Sequence, residues 1–344
     1  MSLTTAQLDR ACGVLLATAT GDALGAGYEF GPPLADSTPV TMTGGGTFGW
    51  APGEWTDDTS MALAIAEVAA SGTDLRAASA RDAIVARWVR WAETARDVGS
   101  QTSQVLGAVR HGVAAADGGA SDGGASDHAA QALAASADLH RRTGHTAGNG
   151  SLMRTAPVAL AYLGDSAEDA LTDAATRLSA LTHYDPEAGE ACVLWCHLIR
   201  QTVRTGSLDA AAGLRHLSDG SRRVWAQRLD EAERARPRDF TRNGWVVEAL
   251  QAAWSAITTT PVPADDHTAG TSRADHLRLA LESAVRGGRD ADTVAAIAGG
   301  VLGAVYGASA VPAQWRQALH GWPGLKARDL VALATTIATG HRHE

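Results

Sequence analysis

Asp290-Ala291-Asp292-Thr293-Val294-Ala295-Ala296-Ile297-Ala298-Gly299-Gly300-Val301-Leu302-Gly303-Ala304-Val305-Tyr306-Gly307 is the stretch on which the fold turns. Val294, Ile297, Ala298, Val301, Leu302 and Val305 recur at helical spacing and make one apolar stripe. Gly299, Gly303 and Gly307 make a second stripe at i, i+4. Glycine weakens a helix by about 1 kcal/mol relative to alanine. Such a row therefore predicts very close approach by another helix, and this helix is expected to be buried and central.

Two carboxylates and a hydroxyl stand at its start, spaced i, i+2, i+3: Asp290, Asp292 and Thr293. Acids near a helix N-terminus are ordinary caps and dipole partners. A second cluster far away, Thr56-Asp57-Asp58-Thr59, also opens an apolar run, Met61-Ala62-Leu63-Ala64-Ile65-Ala66. Two hydroxyl-bearing acidic helix starts are what a hard cation needs, since Mg²⁺ takes oxygen ligands and keeps some of its water. Should the clusters converge, like charges 4 Å apart would repel by about 4 kcal/mol at an effective dielectric of 20. Two Mg²⁺ ions would balance four aspartates. Spacing alone does not bring the clusters together.

The 344 residues, 45% apolar, can build a large core, and the 5% aromatic content suits helices packed through Ala, Leu and Val. A net charge of −9 argues against a general nucleic-acid-binding surface, although helix starts and bound cations can still receive phosphates locally. No apolar run reaches membrane-spanning length and residues 1–10 lack a signal-peptide pattern, so a cytoplasmic protein is expected. Cys12, Cys192 and Cys196 form no disulfide framework and are expected as buried thiols. Lys326 is the one lysine among 29 basic residues; with abundant Ala and Gly this composition suggests a GC-rich bacterial source.

Towards the N-terminus, Thr4-Thr5-Ala6-Gln7 reads as a capping box opening a helix that runs to Gly21-Asp22-Ala23-Leu24-Gly25. Asp22 reads as a local hydrogen bonder, and Glu29, between Tyr28 and Phe30, as a loop acid. Residues 31–55, rich in Pro, Gly and Thr, form a long loop leading into Thr56. Helical periodicity then covers roughly 59–70, 76–97, 100–115, 128–141, 166–181 and 186–204, with Asp185 capping and Pro186 in the first turn of the last. Trp88 and Trp91 are expected to pack. The tandem Gly-Gly-Ala-Ser-Asp at 118–122 and 123–127 predicts a flexible insertion at about 117–127. Gly148-Asn149-Gly150-Ser151-Leu152 is a glycine-rich turn whose amides could cradle phosphate, or simply a tight turn. His183 is a polar core residue or a ligand contact. Residues 219–239 read as a solvated helix, 258–275 as loop, and the tail from 326 as one more helix. No run reads as a strand.

Taken together, Gly21-Asp22-Ala23-Leu24-Gly25, Thr56-Asp57-Asp58-Thr59, Gly148-Asn149-Gly150-Ser151-Leu152-Met153-Arg154, Thr182-His183 and Asp290-Ala291-Asp292-Thr293 resemble the motifs of the ADP-ribosylglycohydrolase family, in the same order and over nearly the whole chain. The resemblance implies a single all-α domain over 1–344 with a central buried helix and a dimetal cleft. It implies two Mg²⁺, or Mn²⁺, with Thr56, Asp57 and Asp58 on one ion, Asp290, Asp292 and Thr293 on the other, and Asp292 as bridge. Gly148, Asn149, Gly150, Ser151 and Leu152 would serve the diphosphate, and His183 the phosphate or ribose. Glu29, with Asp57 and Asp292, would belong to the catalytic set, gating the cleft or acting as base. The implied activity is release of ADP-ribose from a protein or small conjugate by cleavage at C1″, in a monomer needing no membrane. A silent ADP-ribose-binding or structural relative, or a phosphate-ester hydrolase, are the alternatives.

Overall fold

The computed structural model describes residues 3–117 and 127–340. The insertion expected at 117–127 lies, apart from its two ends, outside the described residues. The chain is all-α: fifteen helices and two very short strands among the described residues.

The core is built on two helices, α1 (Thr5–Gly25) and the central helix Ala291–Tyr306, numbered α13. Thr4 caps α1 through the expected reciprocal bonds with Gln7. From Ala11 to Gly25 every residue of α1 is buried, as is every residue of α13 from Ala291 to Ala304. The glycine stripes explain how two such helices touch. A Cβ placed on Gly299 would overlap the carbonyl of Ala17, and one on Gly303 the carbonyl of Gly13. Reciprocally, a Cβ on Gly21 would overlap the Ala295 carbonyl, and one on Gly25 the Cα of Asp292. Backbone meets backbone, which only glycine allows. The partner that the α13 stripe predicts is therefore α1, and Gly25 sits against the acidic start of α13.

Around this pair run α2 (Asp57–Ala70), α3 (Ala78–Ala92), α4 (Ser100–Asp117), α5 (His128–Thr143), the one-turn α6 (Ala156–Ala161), α7 (Glu168–Ala180) and α8 (Pro186–Thr205). The second half adds α9 (Ala211–Leu214), α10 (Asp219–Ala232), α11 (Val246–Thr259) and α12 (Asp275–Arg286) before α13, then α14 (Ala313–Ala318) and α15 (Ala327–Gly340). Pro186 and the Asp185 cap begin α8 as expected. All three cysteines are buried thiols. Trp88 is fully buried and donates from Nε1 to Met61 O at 3.0 Å.

Two expectations need correction. The solvated helix of 219–239 ends at Ala232, with a single 3-10 turn at Pro237–Asp239. Helix α11 is buried along most of its length, and α12 buries one face through Leu277, Ala280, Leu281, Ala284 and Val285. Two two-residue strands, β1 (His320–Gly321) and β2 (Leu325–Lys326), pair around the Trp322-Pro323-Gly324 turn. Runs that short have no alternation to read.

Candidate active site

Three buried helix ends converge. Asp22, near the end of α1, is fully buried. Its Oδ1 accepts from Thr56 N at 2.8 Å, and its Oδ2 from Thr59 N at 2.9 Å and Thr59 Oγ1 at 2.6 Å. It is not a local hydrogen bonder: it caps the N-terminus of α2 from another helix, satisfying amides that α2 cannot satisfy itself. This frees the α2 side chains. Thr56, at the N-cap, makes no side-chain cap bond, and neither does Asp290 at the N-cap of α13. The two N-cap side chains therefore do not cap their own helices, although Asp292 Oδ1 accepts from Thr293 N at 2.9 Å in the first turn of α13.

Thr293 Oγ1 donates to Asp58 Oδ1 at 3.1 Å, joining the start of α13 to that of α2. Asp58 Oδ2 and Glu29 Oε2 are buried and have no hydrogen-bond partner. Carboxylate oxygens of Asp22, Asp58 and Asp292 lie within 4.8 Å of one another, as do those of Glu29, Asp290 and Asp292. Asp292 belongs to both trios. Asn149 Nδ2 donates to Asp290 Oδ2 at 2.7 Å and to Asn243 O at 2.9 Å, which fixes the second trio from behind.

None of Asp22, Glu29, Asp57, Asp58, Asp97, Asp290 or Asp292 forms an ion pair with a basic side chain among the described residues. Burial, then mutual repulsion, pushes Asp57, Asp58 and Asp292 well above the usual carboxylate range. Burial pushes Asp22 up to about 6 against its three hydrogen-bond donors. Glu29 rises to about 9, through burial and then the charges of Asp97, Asp290, Asp57 and Asp22. Asp97 rises to about 6, through burial and then Asp290 and Asp22. Asp290 is raised by burial, partly offset by Asn149. Buried carboxylates with unspent oxygens and no counter-charge are the donor set of a hard divalent cation. The residues fit such ions.

The trios differ from the division expected from sequence. Asp57 is half-buried and stands in neither; Asp22 and Glu29 take places in them. Asp22 had a sequence signal, a carboxylate inside an apolar buried helix between two packing glycines. Asp97 and Asn243 had none.

The glycine turn is built differently. Its 3-10 turn, Asn149–Ser151, is anchored by Asn149 N donating to Gly244 O at 3.1 Å, while Leu152 N donates to Asn149 O at 2.9 Å. These two amides are engaged within the fold, so the expected cradle of free amides is reduced. Ser151 Oγ accepts from Ser179 Oγ at 2.9 Å, and Leu152 is buried. His183 is wedged beneath: a Cβ on Gly150 would lie 2.9 Å from its Cε1 and one on Gly148 3.2 Å from its Nε2. Arg154, buried over the Trp88 ring, donates to Thr182 Oγ1 at 2.6 Å, and that hydroxyl bonds His183 Nδ1 at 2.8 Å. Burial, then Arg154, holds His183 well below its usual pKa, hence neutral.

The ADP-ribosylglycohydrolase family profile matches residues 3–343. The chain belongs to that family. It is 31% identical over 315 residues to the ADP-ribosylarginine hydrolase Tri1 of Serratia proteamaculans (strain 568), covering 90% of this chain and 74% of the relative. Identity to the ADP-ribosyl-[dinitrogen reductase] glycohydrolase of Rhodospirillum rubrum is 27% over 312 residues, 89% of each. Among solved structures, an ADP-ribosylglycohydrolase-related protein complex superposes with TM-score 0.67 at 27% identity, over 97% of this chain and 99% of that one. This family member is thus a glycohydrolase that removes ADP-ribose by hydrolysis, with the all-α fold of its relatives. No helix of the described residues is long and apolar enough to cross a membrane.

Proposed function

We propose that this glycohydrolase cleaves the C1″ glycosidic bond of an ADP-ribosylated protein or small conjugate in the acidic cleft, with two Mg²⁺ or Mn²⁺ ions as cofactors. The observation that carries this is the pair of uncompensated carboxylate trios sharing Asp292. Asp22, Asp58 and Asp292 would hold one ion and Glu29 or Asp290 with Asp292 the other, joined by Thr56, Asp57 and Thr293. When bound, the ions polarise the ribose hydroxyls and lower the pKa of water.

The chain's own groups do the rest. Glycosidic cleavage passes through an oxocarbenium-like state, and the carboxylates crowded here favour a positive centre. Glu29 is half-exposed, with Oε2 free of protein donors. Once cations neutralise the carboxylates that raise its pKa, that oxygen can take the proton of the attacking water. Asn149 keeps Asp290 oriented. His183, neutral and wedged, holds the glycine turn against the cleft and would present the turn to the diphosphate.

The test is release of free ADP-ribose from arginine-, serine- and acetyl-linked conjugates, with Mg²⁺, Mn²⁺ or chelator. Release that needs a divalent cation and stops with chelator is expected. Turnover indifferent to chelator, or inorganic phosphate as product, would overturn the reading.

A further inference from the structure

A cavity of about 640 Å³ lies at the far end of α13 from Asp290 and Asp292, roughly 20 Å along the axis at a rise of about 1.5 Å per residue. Four helices end on it. Gly206 ends α8, Glu233 α10, Thr260 α11 and Tyr306 α13, and all four residues line the cavity. A helix C-terminus carries the equivalent of about half a negative charge, so convergent C-termini favour a cation. The cleft is the reverse, since there the starts of α2 and α13 meet. Ile257, Leu302 and Val305 give the cavity apolar walls.

Side chains add two acceptors. His276 Nε2 lies 3.1 Å from Thr260 O, which can only accept, so that nitrogen carries a proton. Burial pushes the His276 pKa below its usual value, so the ring is neutral and Nδ1 accepts. The Tyr306 hydroxyl, 2.9 Å from Nδ1, is therefore the donor, and its oxygen is left with acceptor capacity alone. Glu233 accepts from Trp254 Nε1 at 3.1 Å and has no basic partner among the described residues. Two guanidiniums are close. Arg273 lines the cavity and is exposed, and Asp265 accepts from its backbone N–H at 2.8 Å. Beside Gly206, Arg10 donates to Val203 O at 2.8 Å, while Asp9 accepts from Ser309 N just past the end of α13. Each guanidinium thus has a neighbouring carboxylate, and Glu233 is in excess.

We infer that this cavity is a second ligand site, and that it takes a linear aliphatic amine. The ammonium sits between Glu233 and the Tyr306 oxygen at the helix ends, and the methylenes lie on Ile257, Leu302 and Val305. The volume falls within the roughly 300–1,000 Å³ of small-molecule sites. An ammonium brings three donors and no acceptor, which matches a wall of carboxylate, phenolic oxygen and helix-end carbonyls. An anion would meet the four helix ends with Arg273 alone in its favour, and a neutral alcohol would bring a single donor. The site is separate from the cleft, and the inference does not depend on how the cleft works.

The experiment uses the full chain with Mg²⁺ present. It follows the Trp254 indole ¹H–¹⁵N signal, which reports on Glu233 through their hydrogen bond. Pentylammonium should shift that signal saturably. 1-Pentanol, of similar shape without the charge, should bind about tenfold more weakly, the scale of one charge-assisted hydrogen bond. Pentanoate should not bind. Glu233→Gln and Tyr306→Phe should each weaken pentylammonium binding about tenfold, whereas Arg273→Ala should tighten it. A flat titration would overturn the site. Equal affinity for 1-pentanol would make the cavity merely apolar, and weaker binding in Arg273→Ala would make the ligand an anion or zwitterion; either overturns the amine. Glu233 is exposed, so Glu233→Gln should fold. An unchanged pentylammonium affinity in that variant would put the amine elsewhere, as in the carboxylate trios, and overturn the inference too.

Discussion

The acidic helix ends and the glycine turn both looked like binding motifs, yet they are built on opposite rules. At the starts of α2 and α13, polar groups are left over: Asp58 Oδ2 and Glu29 Oε2 have no donor, and Asp22 has taken over the capping that Thr56 would otherwise do. Under the glycine turn, polar groups are used up: Asn149, Ser151, Thr182 and His183 all bond within the protein. Unspent buried oxygens mark where a ligand completes the structure, because leaving them bare costs stability. Spent ones mark the frame that holds the site.

Asp292→Ala attacks the first region at the residue common to both trios. Turnover should fall about 10³-fold, equivalent to ~4 kcal/mol of barrier, and calorimetry should find neither cation site intact. Asp22→Ala should weaken metal binding less while costing roughly 0.5–2 kcal/mol of α2 capping. Two sites surviving in Asp292→Ala would break the comparison at its centre. Glu29→Gln should cut kcat by roughly 10²–10⁴ while ADP-ribose affinity stays within a few-fold. Near-normal turnover would remove Glu29 from proton transfer.

Gly25→Ala asks whether the two glycine stripes are what position Asp292. In an open helix the change would gain about 1 kcal/mol; here the methyl meets the Asp292 backbone, and overpacking of about 1–3 kcal/mol should win. Lower melting temperature together with weaker Mg²⁺ binding is expected, and an unaltered cation affinity would separate packing from site.

The raised carboxylates predict a pH dependence of opposite sign to an ordinary salt-bridged protein. Their folded pKa values lie above the unfolded ones, so the cation-free fold binds extra protons. Its stability is highest at low pH and falls as pH rises through about 6 for Asp22 and Asp97 and towards about 9 for Glu29. Mg²⁺ should raise the melting temperature more at pH 8 than at pH 5. An equal shift at both would mean that the cluster does not hold the ion. The smallest effect is expected in the second region. Gly150→Ala presses on His183, whose ring Arg154 and Thr182 hold, and should raise KM a few-fold with cation affinity unchanged, as read by parallel kinetics and calorimetry.

The amino-acid sequence by itself determined the buried helix Ala291–Tyr306, the need for a close helical partner at Gly299 and Gly303, and the two oxygen-rich helix starts. Those are local properties: periodicity, missing Cβ atoms and cap chemistry act over a few residues. It did not determine that Asp22 caps α2, that Glu29 stands by Asp290, or that four tryptophans from three separate stretches meet at one cavity. Asp22 and Thr56 are 34 residues apart, and Trp55 and Trp322 are 267 apart. No periodicity spans such distances. Only the packing of α1 on α13 turns the helix ends to face one another, and repulsion between their carboxylates exists only once they do.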